Sequence, residues 1–134
     1  MILYPNAKIN IGLNVESRRP DGYHNISSVF YPINQCFDIL EIVESENFRF
    51  TSSGINMLDC INICEKAYKL MKIKYQIPPV HIHLHKQIPI GSGLGGGSSD
   101  GAFTIKGLNK LFNLNIHNEL LEELALKLGA DCPF

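Results

Sequence analysis

Residues 80–101 read VHIHLHKQIPIGSGLGGGSSDG, and the fold is decided here. The first six residues alternate, with Val80, Ile82 and Leu84 set against His81, His83 and His85, the period of two of a strand with one face buried. Six glycines follow between Gly91 and Gly101. Backbone without Cβ atoms reaches positive φ and lets a ligand come close. Beyond them the spacing turns helical from about Asp100 to Phe112. A helix opening near Ser98 presents unsatisfied N–H groups and the positive end of its dipole. Strand, glycine turn and helix in immediate succession therefore predict a site for a phosphate.

Downstream, LLEELALKLG at 120–129 predicts a second helix closed by Gly129. Upstream, AKINIGLNV at 7–15 alternates Ala7, Ile9, Ile11, Leu13 and Val15 with polar residues and glycine, which predicts a half-buried strand. Lys8 and Asn10 then share a face, about 7 Å apart along it. Pro20, Asp21 and Gly22 make a turn that returns the chain into a strand over Ile26 to Ile33. Further strands are predicted at Phe37 to Val43 and Phe48 to Thr51. A helix from Ile61 to Tyr75, carried by Ile63, Cys64, Ala67, Leu70 and Met71, is stopped by Pro78 and Pro79. Strands first, then strand, loop and helix, place the chain in the α+β class.

The 134 residues suit one domain around one core, and 45% apolar with 19% charged residues is the composition of a packed, soluble protein. Mean hydropathy is +0.01. Twelve basic residues against thirteen acidic leave a net charge of −1, which gives no general pull toward nucleic acid or an acidic membrane. No apolar run approaches the roughly 20 residues of a membrane span, and MILYPNAK has neither the basic nor the apolar region of a signal peptide, so a cytoplasmic location is expected. Cys36, Cys60, Cys64 and Cys132 show no repeated CxxC spacing, and reduced thiols are expected.

The glycine run matches several phosphate or nucleophile motifs only in part. A Walker A loop needs lysine where Gly97 stands. Gly91, Gly93 and Gly96 satisfy GxGxxG, yet the preceding strand is not apolar throughout and no acidic ribose partner follows. Residues 97–101 satisfy GxSxG, but Asp131 comes after His117, the only downstream histidine, which reverses the order of a hydrolase triad. His81, His83 and His85 share one strand face without a fourth ligand for zinc, and an exposed strand face is expected there.

Taken together, PIGSGLGGGSS at 89–99 resembles the phosphate-binding motif of the GHMP kinases, a superfamily of small-molecule kinases. AKIN at 7–10, RPDGYH at 19–24 and GADCPF at 129–134 narrow the likeness to its branch acting on 4-diphosphocytidyl-2-C-methyl-D-erythritol. The four motifs stand in that branch's order and span the chain. The resemblance implies the ribosomal-protein-like α+β fold of a GHMP N-terminal ATP-binding lobe over 1–134. Members run to about twice this length, so the C-terminal lobe is expected to be absent from this chain. It implies ATP-dependent phosphorylation of a hydroxyl of that cytidine diphosphate in the non-mevalonate route to isoprenoid precursors, with ATP and Mg²⁺ as cofactors. Without the second lobe the chain alone is expected to be inactive and, with an apolar lobe interface open, to self-associate. A lobe that holds nucleotide without turnover is the alternative.

Carried over residue by residue, the likeness makes Asp131 the catalytic base and Lys8 its partner. Asn10 would bind substrate, Tyr23 would stack on cytosine, His24 would hydrogen-bond its edge, and Phe30 would cover the pocket. ATP would lie on Pro89, Gly91, Gly93, Leu94, Gly95, Gly96, Gly97, Ser98 and Ser99, with Lys86 reaching the nucleotide and Asn62 bordering adenine. No secure carboxylate ligand for Mg²⁺ is named, and Asp100 is expected only to cap its helix.

Overall fold

Alternation at the centre of the chain builds the central strand of a four-stranded sheet. The computed structural model describes residues 1–57, 62–129 and 131–132. Readings that fall on Cys60, Ile61, Ala130, Pro133 and Phe134 lie outside them. The elements in order are β1 (Ile2–Leu3), β2 (Asn6–Arg18), β3 (His24–Phe37), β4 (Ile39–Glu44), β5 (Arg49–Gly54), α1 (Ile63–Tyr75), β6 (Val80–Lys86), α2 (Gly96–Leu111) and α3 (Asn118–Leu126). This is the expected α+β architecture. Among the described residues no helix is long and apolar enough to cross a membrane.

One sheet runs β1-β4-β6-β5, with β6 antiparallel to β4 and parallel to β5, so α1 is the crossover between the parallel pair. Val80, Ile82 and Leu84 are fully buried and meet Leu40 and Ile42 of β4 under Ala67 and Met71 of α1, Ile105 and Leu108 of α2, and Leu124 of α3. Asn62 caps α1 by accepting from the backbone N–H groups of Cys64 and Glu65, and Gln76 closes it in the left-handed region. Cys36, Cys64 and Cys132 are free thiols; burial, with the charge of Asp100 adding, pushes Cys64 up to about 12.

The second sheet is the β2–β3 hairpin alone. Here the sequence reading needs correction. Ala7 is buried, but Ile9, Ile11, Leu13 and Val15 stay exposed, because nothing among the described residues covers that side. The strand also breaks its own alternation, with register shifts between Ile11 and Asn14 and between Val15 and Ser17. The two sheets join at Tyr4–Pro5 and at Asp38, and the Asp38 N–H donates to the Pro5 carbonyl at 2.8 Å.

The helix after the glycine run starts earlier than its spacing suggested. Gly96, Gly97, Ser98 and Ser99 form the first turn of α2, and Gly95, at φ +69°, is the N-cap with no side-chain cap. Asp100 is therefore no cap but a buried residue of the second turn.

Candidate active site

Lys8 lies near the start of β2, where its backbone N–H donates to the carbonyl of Leu94 in the glycine loop at 2.8 Å. The expected shared face exists: Lys8 Nζ donates to Asn10 Oδ1 and to Asp131 Oδ2, each at 3.3 Å, and sits 4.1 Å from the centre of the Phe30 ring. Gly95 makes this approach feasible, since a Cβ there would fall 2.7 Å from Lys8 Cε. Lys8 is buried, whereas the Asp131 side chain is 53% exposed. The structure thus brings Lys8, Asn10, Phe30 and Asp131 together from the two ends of the chain.

Two cavities flank this cluster. One, of about 370 Å³, is walled by Lys8, Phe30, Ser99, Phe103 and Leu121. The other, of about 450 Å³, is walled by Pro89, Gly91, Gly93, Gly96, Gly97 and Ser98. Gly95 and Asp131 line both. The second lies on the glycine loop: Gly91, Gly93 and Gly95 all have positive φ, and α2 opens from its N-cap Gly95 without a side-chain cap, a geometry that suits a phosphate. The Ser92 hydroxyl donates to the Pro89 carbonyl at 2.7 Å and shapes the loop. Leu94 serves through its carbonyl, turned toward Lys8. Cys132 is buried beside Ser98, and burial pushes its thiol up against the hydrogen bond that Ser98 supplies.

Tyr23 and His24 are not brought to this cluster. Both are exposed at the hairpin tip, where His24 pairs with Arg18, ten positions along β2 from Lys8, or about 30 Å of strand. From Pro32 to His24 no residue of β3 is extra to the pairing, so Phe30 and His24 share a face.

Two residues assigned to ATP are engaged within the protein itself. Lys86, expected to reach nucleotide, lines the loop cavity together with Asp100, yet it is 3% exposed and its ammonium is already paired: Nζ donates to Asp38 Oδ2 and, at 2.8 Å, to Asp100 Oδ2. Burial pulls its ammonium down, but the two carboxylates, Asp100 foremost, outweigh that and hold it above its ordinary value. Asn62, expected to border adenine, has its side-chain oxygen occupied as the α1 cap and lines neither cavity. Sequence reasoning missed Asp38 and read Asp100 only as a helix cap. Burial raises Asp100 to about 7 against the pull of Lys86. The three histidines are half-buried rather than freely exposed, joined in a ladder by Thr51 between His81 and His83 and by Ser53 between His83 and His85.

Residues 62–134 match the GHMP kinases N terminal domain. The 4-diphosphocytidyl-2-C-methyl-D-erythritol kinases of Cytophaga hutchinsonii and Parabacteroides distasonis are 55% and 54% identical over 136 residues, covering 100% of this chain and 50% of each relative. The chain spans about half the length of the curated relatives it matches. A crystal structure of 4-(cytidine 5'-diphospho)-2C-methyl-D-erythritol kinase superposes with a TM-score of 0.81 at 36% identity, over 100% of this chain and 48% of that one. Streptococcus pneumoniae phosphomevalonate kinase in complex with phosphomevalonate and AMPPNP shares the fold at 17% identity and a TM-score of 0.66, over 96% of this chain and 42% of that one. A glycine loop at the mouth of an uncapped helix and a family match over 62–134 lead to one conclusion: the chain belongs to the GHMP kinase family, by its N-terminal domain.

Proposed function

We propose that this chain provides the ATP-binding lobe and catalytic pair of a kinase that phosphorylates a hydroxyl of 4-diphosphocytidyl-2-C-methyl-D-erythritol, in isoprenoid precursor synthesis. The observation that carries the proposal is the meeting of two cavities at Gly95 and Asp131. A donor phosphate on the glycine loop and an acceptor hydroxyl beside Lys8 would face each other across that junction. The named relatives supply the choice of acceptor.

In this assignment the ATP polyphosphate rests on the first-turn N–H groups of α2 and the backbone of residues 91–97. Asp131 takes the acceptor's proton as the new O–P bond forms and the bond to the ADP leaving oxygen breaks. Lys8 orients Asp131 and offsets charge on the transferred group. Mg²⁺, when bound with ATP, would supply positive charge at the phosphate oxygens. Asn10 and Phe30 would hold the acceptor near the junction, and for Tyr23 and His24 to meet its cytosine end the hairpin would have to curl over the substrate, since the tip lies about 30 Å along the strand from Lys8.

A nucleotide-holding lobe without turnover is the second reading, favoured by the half-open Asp131, since phosphoryl transfer needs a site closed to water. Calorimetric titration with MgATP, followed by phosphorus NMR of MgATP with the cytidine substrate, both on this chain joined to the C-terminal half of a relative, separates the two. ATP binding with formation of ADP and a phosphomonoester supports the kinase; binding without product supports the holding lobe; no binding of MgATP rejects both.

A further inference from the structure

Beneath the glycine loop, three charged side chains are withdrawn from water together. Lys86 at the end of β6, Asp38 at the corner between β3 and β4, and Asp100 in α2 are 3%, 0% and 1% exposed. The Asp38 carboxylate works in two directions: one oxygen accepts from Lys86 Nζ, the other from the backbone N–H groups of Gln87 at 2.6 Å and Ile88 at 2.8 Å. Those amides are the entrance to the loop. Asp100, taking the 2.8 Å bond from the same ammonium, sits in the helix that forms its exit. A Cβ on Gly96 would lie 2.9 Å from Lys86 Nζ and 2.8 Å from Ile88 Cγ2, so the first residue of α2 rests directly on the ammonium.

Stability alone does not call for this arrangement. Buried ions lose their hydration, and an apolar trio of similar volume would join strand to helix as well or better. What ions add is direction, because each bond fixes an angle as well as a separation. We infer that Lys86 is a positioning residue, clamped by Asp38 and Asp100 so that the entrance and exit of the phosphate loop are held at one spacing and its N–H groups converge on one point. The functional consequence rests on the reading of that loop as a nucleotide site; the mechanical part does not.

The competing role, a direct bond from Lys86 to phosphate, differs in sign. Removing Asp100 would then free the ammonium for the ligand and tighten binding or leave it unchanged. Under the positioning role, Lys86→Met and Asp100→Ala each weaken MgATP binding, by ~10–100-fold for a loop displaced by about an ångström. The double variant is no worse than the worse single, because one unit has been broken. Asp100→Asn, which keeps a neutral acceptor for Lys86, restores most of the affinity lost in Asp100→Ala.

The deciding experiment combines MgATP titration with amide hydrogen exchange on the unliganded chain. Expected is faster exchange confined to residues 87–100, with the amides of β4 and α3 unchanged. Uniform acceleration, or none, overturns the inference, as does tighter binding by Asp100→Ala. Asp38→Asn is the milder companion should the other variants not fold. A single amide oxygen cannot serve both Lys86 and the Gln87 and Ile88 N–H groups, so exchange over the loop is expected to rise here too, and an unchanged loop counts against the inference. If the wild-type chain binds no MgATP, the nucleotide reading fails, and the exchange pattern still decides the mechanical one.

Discussion

At Lys8 four separate demands meet: a backbone bond to the loop, a ring beneath the ammonium, an amide oxygen and a carboxylate. In a protein that turns over, Asp131→Asn keeps the shape and loses the proton acceptor. Turnover is expected to fall ~10²–10⁴-fold with little change in substrate affinity, and Lys8→Met in the same background to add less than its own separate effect. Steady-state kinetics of the two singles and the double check this. Asp100 carries a prediction about pH. Its carboxyl titrates near 7 in the fold and at 3.8 in a free chain, so between those values the folded state holds the extra proton. Stability from this group is full below about pH 4 and is lost as pH rises toward 7. Urea unfolding at several pH values is expected to show that decline in the wild type but not in Asp100→Asn, a difference on the order of 2–4 kcal/mol. Lys86 shows what a sequence conceals and what it does not. The period of two that buries Val80, Ile82 and Leu84 also points Lys86 inward, which was legible; its two carboxylates come from residues 48 and 14 positions away, which was not.

Among the elements, α2 packs tightly at Gly107. A Cβ on Gly107 would fall 2.6 Å from Leu3 Cδ1 and 2.8 Å from Ile42 Cδ1, and Ile42 is fully buried. Gly107→Ala would gain helix propensity, about 1 kcal/mol, yet the overpacking it forces costs roughly 1–3 kcal/mol, so a net loss of stability is expected in denaturant titration. The β2–β3 hairpin is the opposite case, with too little around it. Ile9 pairs with Tyr31 and Ile11 with Val29 on the side away from Lys8, and all four are exposed. Changing Ile11 and Val29 together to Thr is expected to leave the melting temperature within a few degrees and to reduce self-association in sedimentation velocity. Alternation at 7–15 revealed the strand but not its exposure. The pattern says that one face is apolar, not that something covers it. The early start of α2 was hidden for a related reason: Gly96 and Gly97 are poor helix formers, and the close packing against Ile88 and Lys86 that calls for glycine at Gly96 comes from outside the helix, while a Cβ at Gly97 would meet open space.

In the whole molecule, the α+β class and the strand–glycine loop–helix unit were readable because each rests on neighbours in sequence. The division into two sheets was not, since it depends on which strands pair. That division also leaves Tyr23 and His24 far from Lys8. His24→Ala is expected to weaken binding of a cytidine diphosphate ligand while sparing MgATP, and a competition titration with equal losses for both would count against a cytosine role. The junction of the sheets, where the Asp38 N–H meets the Pro5 carbonyl, has a mechanical meaning. If the hairpin swings about that point as a rod, it is a lever with unequal arms: Lys8 stands three residues from Pro5 and Arg18 thirteen. A shift at the tip is then reduced roughly fourfold at Lys8, taking arm length as proportional to residues along an extended strand. A ligand gripped at the tip could travel several ångströms while the ammonium moved about one, and because Asp38 is both fulcrum and clamp of Lys86, the phosphate loop would feel the torque and hardly any of the travel.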